Sequence, residues 1–144
     1  MTIGKVFGLF LKSLANKEVD LDSDTFKVML CTSAYTPNQD THQYKSQVTG
    51  EVAGTGYTAG GASLANVAAT YDAATNTFKF DADDLIWPGS TFTARYAVIY
   101  DDTPATAATK PLVGYVDFEA DIPATNAPFQ IVWNPAGILG MSTP

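Results

Sequence analysis

Apolar and polar positions alternate with period two along much of the second half of the chain, the spacing of a half-buried strand. Phe129, Ile131 and Trp133 fall on one face, Gln130 and Val132 on the other. Residues 91–100 and 112–118 predict two strong strands, because Tyr, Val, Ile, Phe and Thr suit a pleated surface. The small and polar residues 101–110 between them have no period and predict a mobile loop. Residues 63–71 and 77–81 predict a hairpin turning at 72–76. Ala65, Val67, Ala69 and Tyr71 should then face the core, and Phe78 and Phe80 should share one face. Residues 25–32 read as the first clear strand, and 85–87 as a short one stopped by Pro88 and Gly89. Residues 122–128 read as a loop broken by Pro123 and Pro128, and 138–141 as a closing strand. Roughly seven to nine short strands at intervals of about ten residues predict an all-β fold, an antiparallel sandwich or a barrel.

The first residues follow another rhythm. Ile3, Val6, Phe7, Phe10, Leu11 and Leu14 recur at three- and four-residue spacing, which predicts an amphipathic helix of about three turns within residues 1–17. Its apolar stripe must face the edge of its own domain or a neighbouring copy. Residues 18–144 make the β core. No repeat or change of composition divides the chain, so a single domain over 1–144 is expected.

Composition narrows the field of partners. Charged residues are 16% of the 144, below the usual quarter, so uncharged polar and small residues must cover the surface. The net charge of −7, with scattered lysines and arginines, disfavours nucleic acid and anionic membrane. Lys12 cuts the apolar run 6–11 short of a signal-peptide core. The single cysteine, Cys31, ends an apolar strand and is expected to be a buried, inert thiol.

Candidate chemistry is sparse. Asp20, Asp22 and Asp24 have the one-three-five spacing of a calcium loop, but Thr25 and Cys31 stand where an EF-hand needs Gly and Glu. They remain weak metal candidates beside the plainer reading of a solvated acidic approach to a strand. Asp81, Asp83 and Asp84 form a second acidic knot, with nothing to set a catalytic separation. The glycines of 54–61 lack the Gly-Lys-Ser/Thr ending of a phosphate loop. His42 is the only histidine, and no Gly-x-Ser-x-Gly elbow accompanies it. Tyr57, Trp87, Tyr96, Tyr115 and Trp133 could stack sugars if exposed in a row, although aromatics on strands more often belong to a core. No catalytic residue and no cofactor are expected, and the chain reads as a non-enzyme.

Several short segments, in order, carry a family likeness. They are Lys27-Val-Met-Leu-Cys-Thr32, Tyr35-Thr-Pro-Asn-Gln-Asp40, Glu51-Val52 with the glycine-rich stretch 54–61, Thr70-Tyr-Asp-Ala-Ala74, the run 94–102, and Pro111-Leu-Val-Gly-Tyr-Val-Asp-Phe118. With them the chain resembles small structural proteins encoded in the head-gene region of tailed bacteriophages and prophages. Some of these look like capsid decoration, or cement, proteins. The resemblance implies a β-sandwich, with the jelly roll as one form of it, that binds the outer face of a capsid. The implied partners are the major capsid protein and other copies of the chain, a trimer first and a dimer second. The protein would be made in the bacterial cytoplasm and end on the virion. Ile3, Val6, Phe7, Phe10 and Leu11 are then the expected shell or protomer contacts. A tail or baseplate protein and a carbohydrate-binding module are the alternatives.

Overall fold

The strands order themselves into two antiparallel sheets. In the computed structural model, which describes residues 3–144, the elements are β1 (Ile3–Val6), α1 (Gly8–Ala15), β2 (Phe26–Cys31), β3 (Ala62–Ser63), β4 (Ala68–Asp72), β5 (Thr77–Asp81), β6 (Leu85–Asp101), β7 (Leu112–Ile131) and β8 (Leu139–Ser142). One turn of 3-10 helix, Lys45–Gln47, interrupts the long connection after β2. The larger sheet runs β1-β7-β6-β2-β3 and the smaller β4-β5-β8, the arrangement of an all-β sandwich.

The larger sheet is built on one long hairpin. β6 and β7 pair from Tyr100↔Leu112 to Leu85↔Ile131, so four expected strands and a loop are one ribbon. Gly89, at φ +62, sits in the register jump between Trp87 and Ser90, where a bulge absorbs the glycine without ending the strand. A larger jump separates Ala94↔Ile122 from Tyr96↔Asp117, and Arg95 reaches across it to Asp117 (2.8 Å). Pro123 and Pro128 lie beyond the part of β7 that β1 covers, where a strand can spare amide donors.

β2 is buried along nearly its whole length, which explains its run of apolar residues. It pairs with β6 from Phe26↔Asp101 to Cys31↔Tyr96, and with β3 at its other edge. The smaller sheet meets the larger where Phe80 of β5 sets its ring edge-on to Phe26 of β2, centroids 5.2 Å apart. The β4–β5 hairpin turns at the expected place, but Tyr71 points to solvent. Leu64 is the buried residue of that segment, because its N–H donates to the Phe26 carbonyl and brings it under the sheet.

The glycine-rich stretch is folded onto the sheet. Glu51 accepts hydrogen bonds from the Tyr57 hydroxyl (2.7 Å) and the Gly60 amide (2.6 Å), and Tyr100 donates to the Gly60 carbonyl (2.7 Å). Gly61 adopts φ +83 against Val28, where a Cβ would sit 1.9 Å from the Val28 carbonyl oxygen. Only glycine meets both demands there.

The connection 101–110, expected to be a mobile loop, is tied at several points. Asp102 is paired with Lys27 (3.1 Å) and with Lys110, and the amides of Lys45 and Ser46 donate to the Lys110 and Ala107 carbonyls. No helix among the described residues is long and apolar enough to cross a membrane.

Candidate functional site

The amino-terminal candidates do not form one surface stripe. β1 pairs with β7 from Ile3↔Asp117 to Val6↔Gly114, so the expected helix is a strand over its first part. The turn after β1 drives Phe7 and Phe10 into the core, both 0% exposed. Phe7 packs on Tyr115, centroids 5.0 Å apart, and its amide donates to the Val113 carbonyl. Val6 is half-buried, and the side chain of Ile3 lies outside the described residues. Leu11, 53% exposed on the solvent side of α1, is left as the surface member of the set. Phe7 and Phe10 are therefore core residues and not contacts: edge pairing by β1 outweighs the helical periodicity that suggested a stripe.

The acidic groups are occupied locally. Asp20 accepts from the Asp22 amide (3.0 Å), and Asp24 from the Asp20 amide (2.7 Å). Hydrogen bonds from Ser23 and then from Asp22 hold the Asp20 carboxyl below the usual carboxylate range. In the second knot each acid has its own partner: Asp81 pairs with Lys79 (2.9 Å), Asp83 accepts from the Asn66 amide group (2.6 Å), and Asp84 accepts from the Trp133 amide (2.9 Å). Among the described residues no three His, Cys, Asp or Glu side chains converge as a metal would require.

The glycine-rich stretch offers no phosphate cradle. The Gly60 amide is taken by Glu51 and that of Gly61 by the Thr58 carbonyl. Cys31 is wholly buried, and burial followed by the nearby Glu51 charge pushes its thiol up to about 12. A thiol so far from ionisation is a poor nucleophile.

His42 has a structural post. Its Nδ1 accepts from the Asn38 amide (3.3 Å), so the Tyr35 hydroxyl at 2.9 Å also donates to that nitrogen. The imidazole stacks on the Tyr35 ring, centroids 5.7 Å apart. Burial pulls the His42 pKa below its ordinary value. Protonation at Nδ1 would break both hydrogen bonds. The neutral ring thus supplies stability that is complete above the unfolded pKa of about 6.5 and is lost as pH falls through that value towards the lower folded one. Thermal unfolding at several pH values should show His42→Asn reducing the loss of stability on acidification relative to the wild type.

The aromatic candidates do not make a stacking row. Trp87 and Tyr115 are buried, and Trp87 lies edge-on to Phe129 at 6.1 Å. Tyr57 is held beneath Glu51, and Trp133 donates its ring N–H to the Asp83 carbonyl (3.0 Å).

The surface instead carries two features that sequence reasoning passed over. Ile86, 55% exposed, and Val132, 68% exposed, lie on the outward face of the ribbon's open end. Ile86 is registered with Gln130, and Val132 is the next residue on that side. Their signal was present in the alternation, which put Val132 opposite Trp133, but Ile86 was absorbed into a short strand of its own. Beside this end runs a cleft of about 680 Å³, lined by Val6, Phe118, Ile122, Pro128, Trp133 and Ile138 among others. No carboxylate, histidine or cysteine is among the described residues lining it; Lys5 and Tyr115 are its titratable side chains, set among apolar ones. No protein-family model, curated protein or solved structure matches the chain.

Proposed function

We propose that this chain is a virion structural protein that binds the outside of a tailed-phage capsid as a decoration or cement protein, and that it performs no chemistry. The observation that carries the reading is where the family-like segments fall. Residues 27–32, 94–102 and 111–118 lie mainly in β2, β6 and β7, neighbours at the centre of the larger sheet, and the stretch 54–61 is folded onto the same centre. The likeness therefore follows the interior of the fold. The low charge and the local satisfaction of the acidic groups also fit a protein that works through surfaces. The jelly-roll form would need two four-stranded sheets; with orders of five and three strands, the proposal rests on the sandwich alone.

Such a protein stabilises a shell by mass action, binding the assembled lattice in preference to free subunits. An oligomer spanning several copies of the major capsid protein gains effective concentration for each later contact. The contact surface in this proposal is the exposed apolar set, Ile86 with Val132 on the ribbon and Leu11 on α1. The test is the mass of the purified protein in solution, followed by co-sedimentation with heads that lack it. A trimer or dimer that sediments with heads is expected. Ile86→Glu with Val132→Glu should reduce the bound fraction at least about tenfold if the ribbon makes the contact, since a buried unpaired charge is costly; Leu11→Glu tests the helix in the same way. Labelled protein found by electron microscopy only on tails would move it to the tail or baseplate. A monomer that binds neither would overturn the proposal.

A further inference from the structure

Asp101 is the one buried charged residue that the fold leaves incompletely satisfied among those described. It ends β6, is 0% exposed, and uses one carboxylate oxygen, Oδ1, to accept from the Thr103 amide (2.8 Å). Its other oxygen, Oδ2, is buried without a hydrogen-bond donor. Two side chains lie within hydrogen-bond reach of the Asp101 carboxyl: the Thr103 hydroxyl, which favours its charged form, and, with the larger effect, another carboxyl, that of Asp24. Asp24 is itself held in place by the Asp20 amide. Among the described residues no cation is ion-paired with Asp101: Lys27 of β2 and Lys110, just before β7, are both paired with the neighbouring Asp102. A buried Asp101 carboxylate facing the half-buried one of Asp24 would be repelled, whereas one proton between them turns the contact into a strong O–H···O bond.

We infer that Asp101 keeps its proton in mildly acidic solution and donates it in a hydrogen bond to Asp24, and that losing it towards neutral pH loosens the seam between residues 20–25 and the 101–111 connection. The protonated Asp101 Oδ2 donates to a carboxylate oxygen of Asp24; release of the proton to water leaves two anions in its place. Burial and, next, the Asp24 carboxyl push Asp101 up to about 6. A carboxyl raised in the folded state binds its proton more tightly there than when unfolded. Its stabilising contribution is complete below the ordinary carboxylate range and is lost as pH rises to about 6. The seam that feels the loss is short. Asp102 donates its amide to the Thr25 carbonyl (2.8 Å), and Thr25 donates to the Thr103 hydroxyl (2.9 Å).

Asparagine is the informative replacement, because its oxygen can accept from Thr103 while its NH₂ donates permanently to Asp24. In the full-length protein, Asp101→Asn should raise the folded-to-unfolded ratio at least about tenfold at about pH 7.5, and less than about twofold at about pH 4. Comparing variant with wild type at each pH cancels the opposing contribution of His42. Carbon-detected NMR of the wild-type carboxyls, which needs no variant, should show Asp101 titrating well above the other aspartates. Amide exchange at Thr25 and Thr103 should quicken across the same interval beyond its intrinsic pH dependence. Titration of Asp101 with the ordinary aspartates, or equal destabilisation by Asp101→Asn at both pH values, would overturn the inference. So would millimolar calcium stabilising the wild type at about pH 7.5 as much as the asparagine does, since the buried oxygen would then be a cation ligand.

Discussion

Gly61→Ala should lower stability by at least about 3 kcal/mol and the thermal midpoint by roughly 10 °C, although it removes no polar side chain. Two costs combine. A left-handed backbone costs an alanine about 1–2 kcal/mol. The new Cβ would also stand 1.9 Å from the Val28 carbonyl oxygen, far inside contact, and that oxygen belongs to the most buried strand of the sheet. The obstacle is backbone and cannot rotate away, so either β2 shifts or the glycine-rich stretch lifts. Lifting would undo the Glu51–Gly60 and Tyr100–Gly60 hydrogen bonds. A thermal scan of the purified variant checks this; a midpoint within about 2 °C of wild type would show that the close approach is not obligatory.

Phe80→Ala should cost about 3–5 kcal/mol, the range for removing a buried aromatic side chain. Phe80 is wholly buried and joins the smaller sheet to the larger through Phe26, so its loss opens a cavity at the seam of the sandwich. Phe80→Leu keeps much of the volume and should cost less, though it forfeits the ring contact, worth about 0.5–1.5 kcal/mol. Urea unfolding of the two variants separates these terms. Against a total stability of about 5–15 kcal/mol, the alanine variant stands to lose about a fifth or more. Equal effects from alanine and leucine would mean that volume at this seam hardly matters.

The strands with local signals were readable in the sequence. β2 and the β4–β5 hairpin lie where apolar runs and turn residues put them. The ribbon was not readable, because Gly89, Pro123 and Pro128 are ordinary breakers and only the pairing reveals the bulge and the spare edge that tolerate them. The amino-terminal segment misled for a related reason. Its three-and-four spacing is real, yet β7 supplies a partner for residues 3–6 that no local pattern announces; Gly4, a poor helix residue, was the available warning. The site candidates fared worse. Register sets Ile86 opposite Gln130, two residues before Val132, and Asp24 meets Asp101 only once β2 lies against β6, so these placements are a property of topology and not of spacing.

β1 has a consequence for how the protein is made. Residues 3–6 pair with residues 114–117, far along the chain, so Phe7 and Phe10 cannot be covered as they emerge from the ribosome. Nascent chains must carry those two rings uncapped until residues 114–117 have been made, and chaperones would meet the protein at these rings.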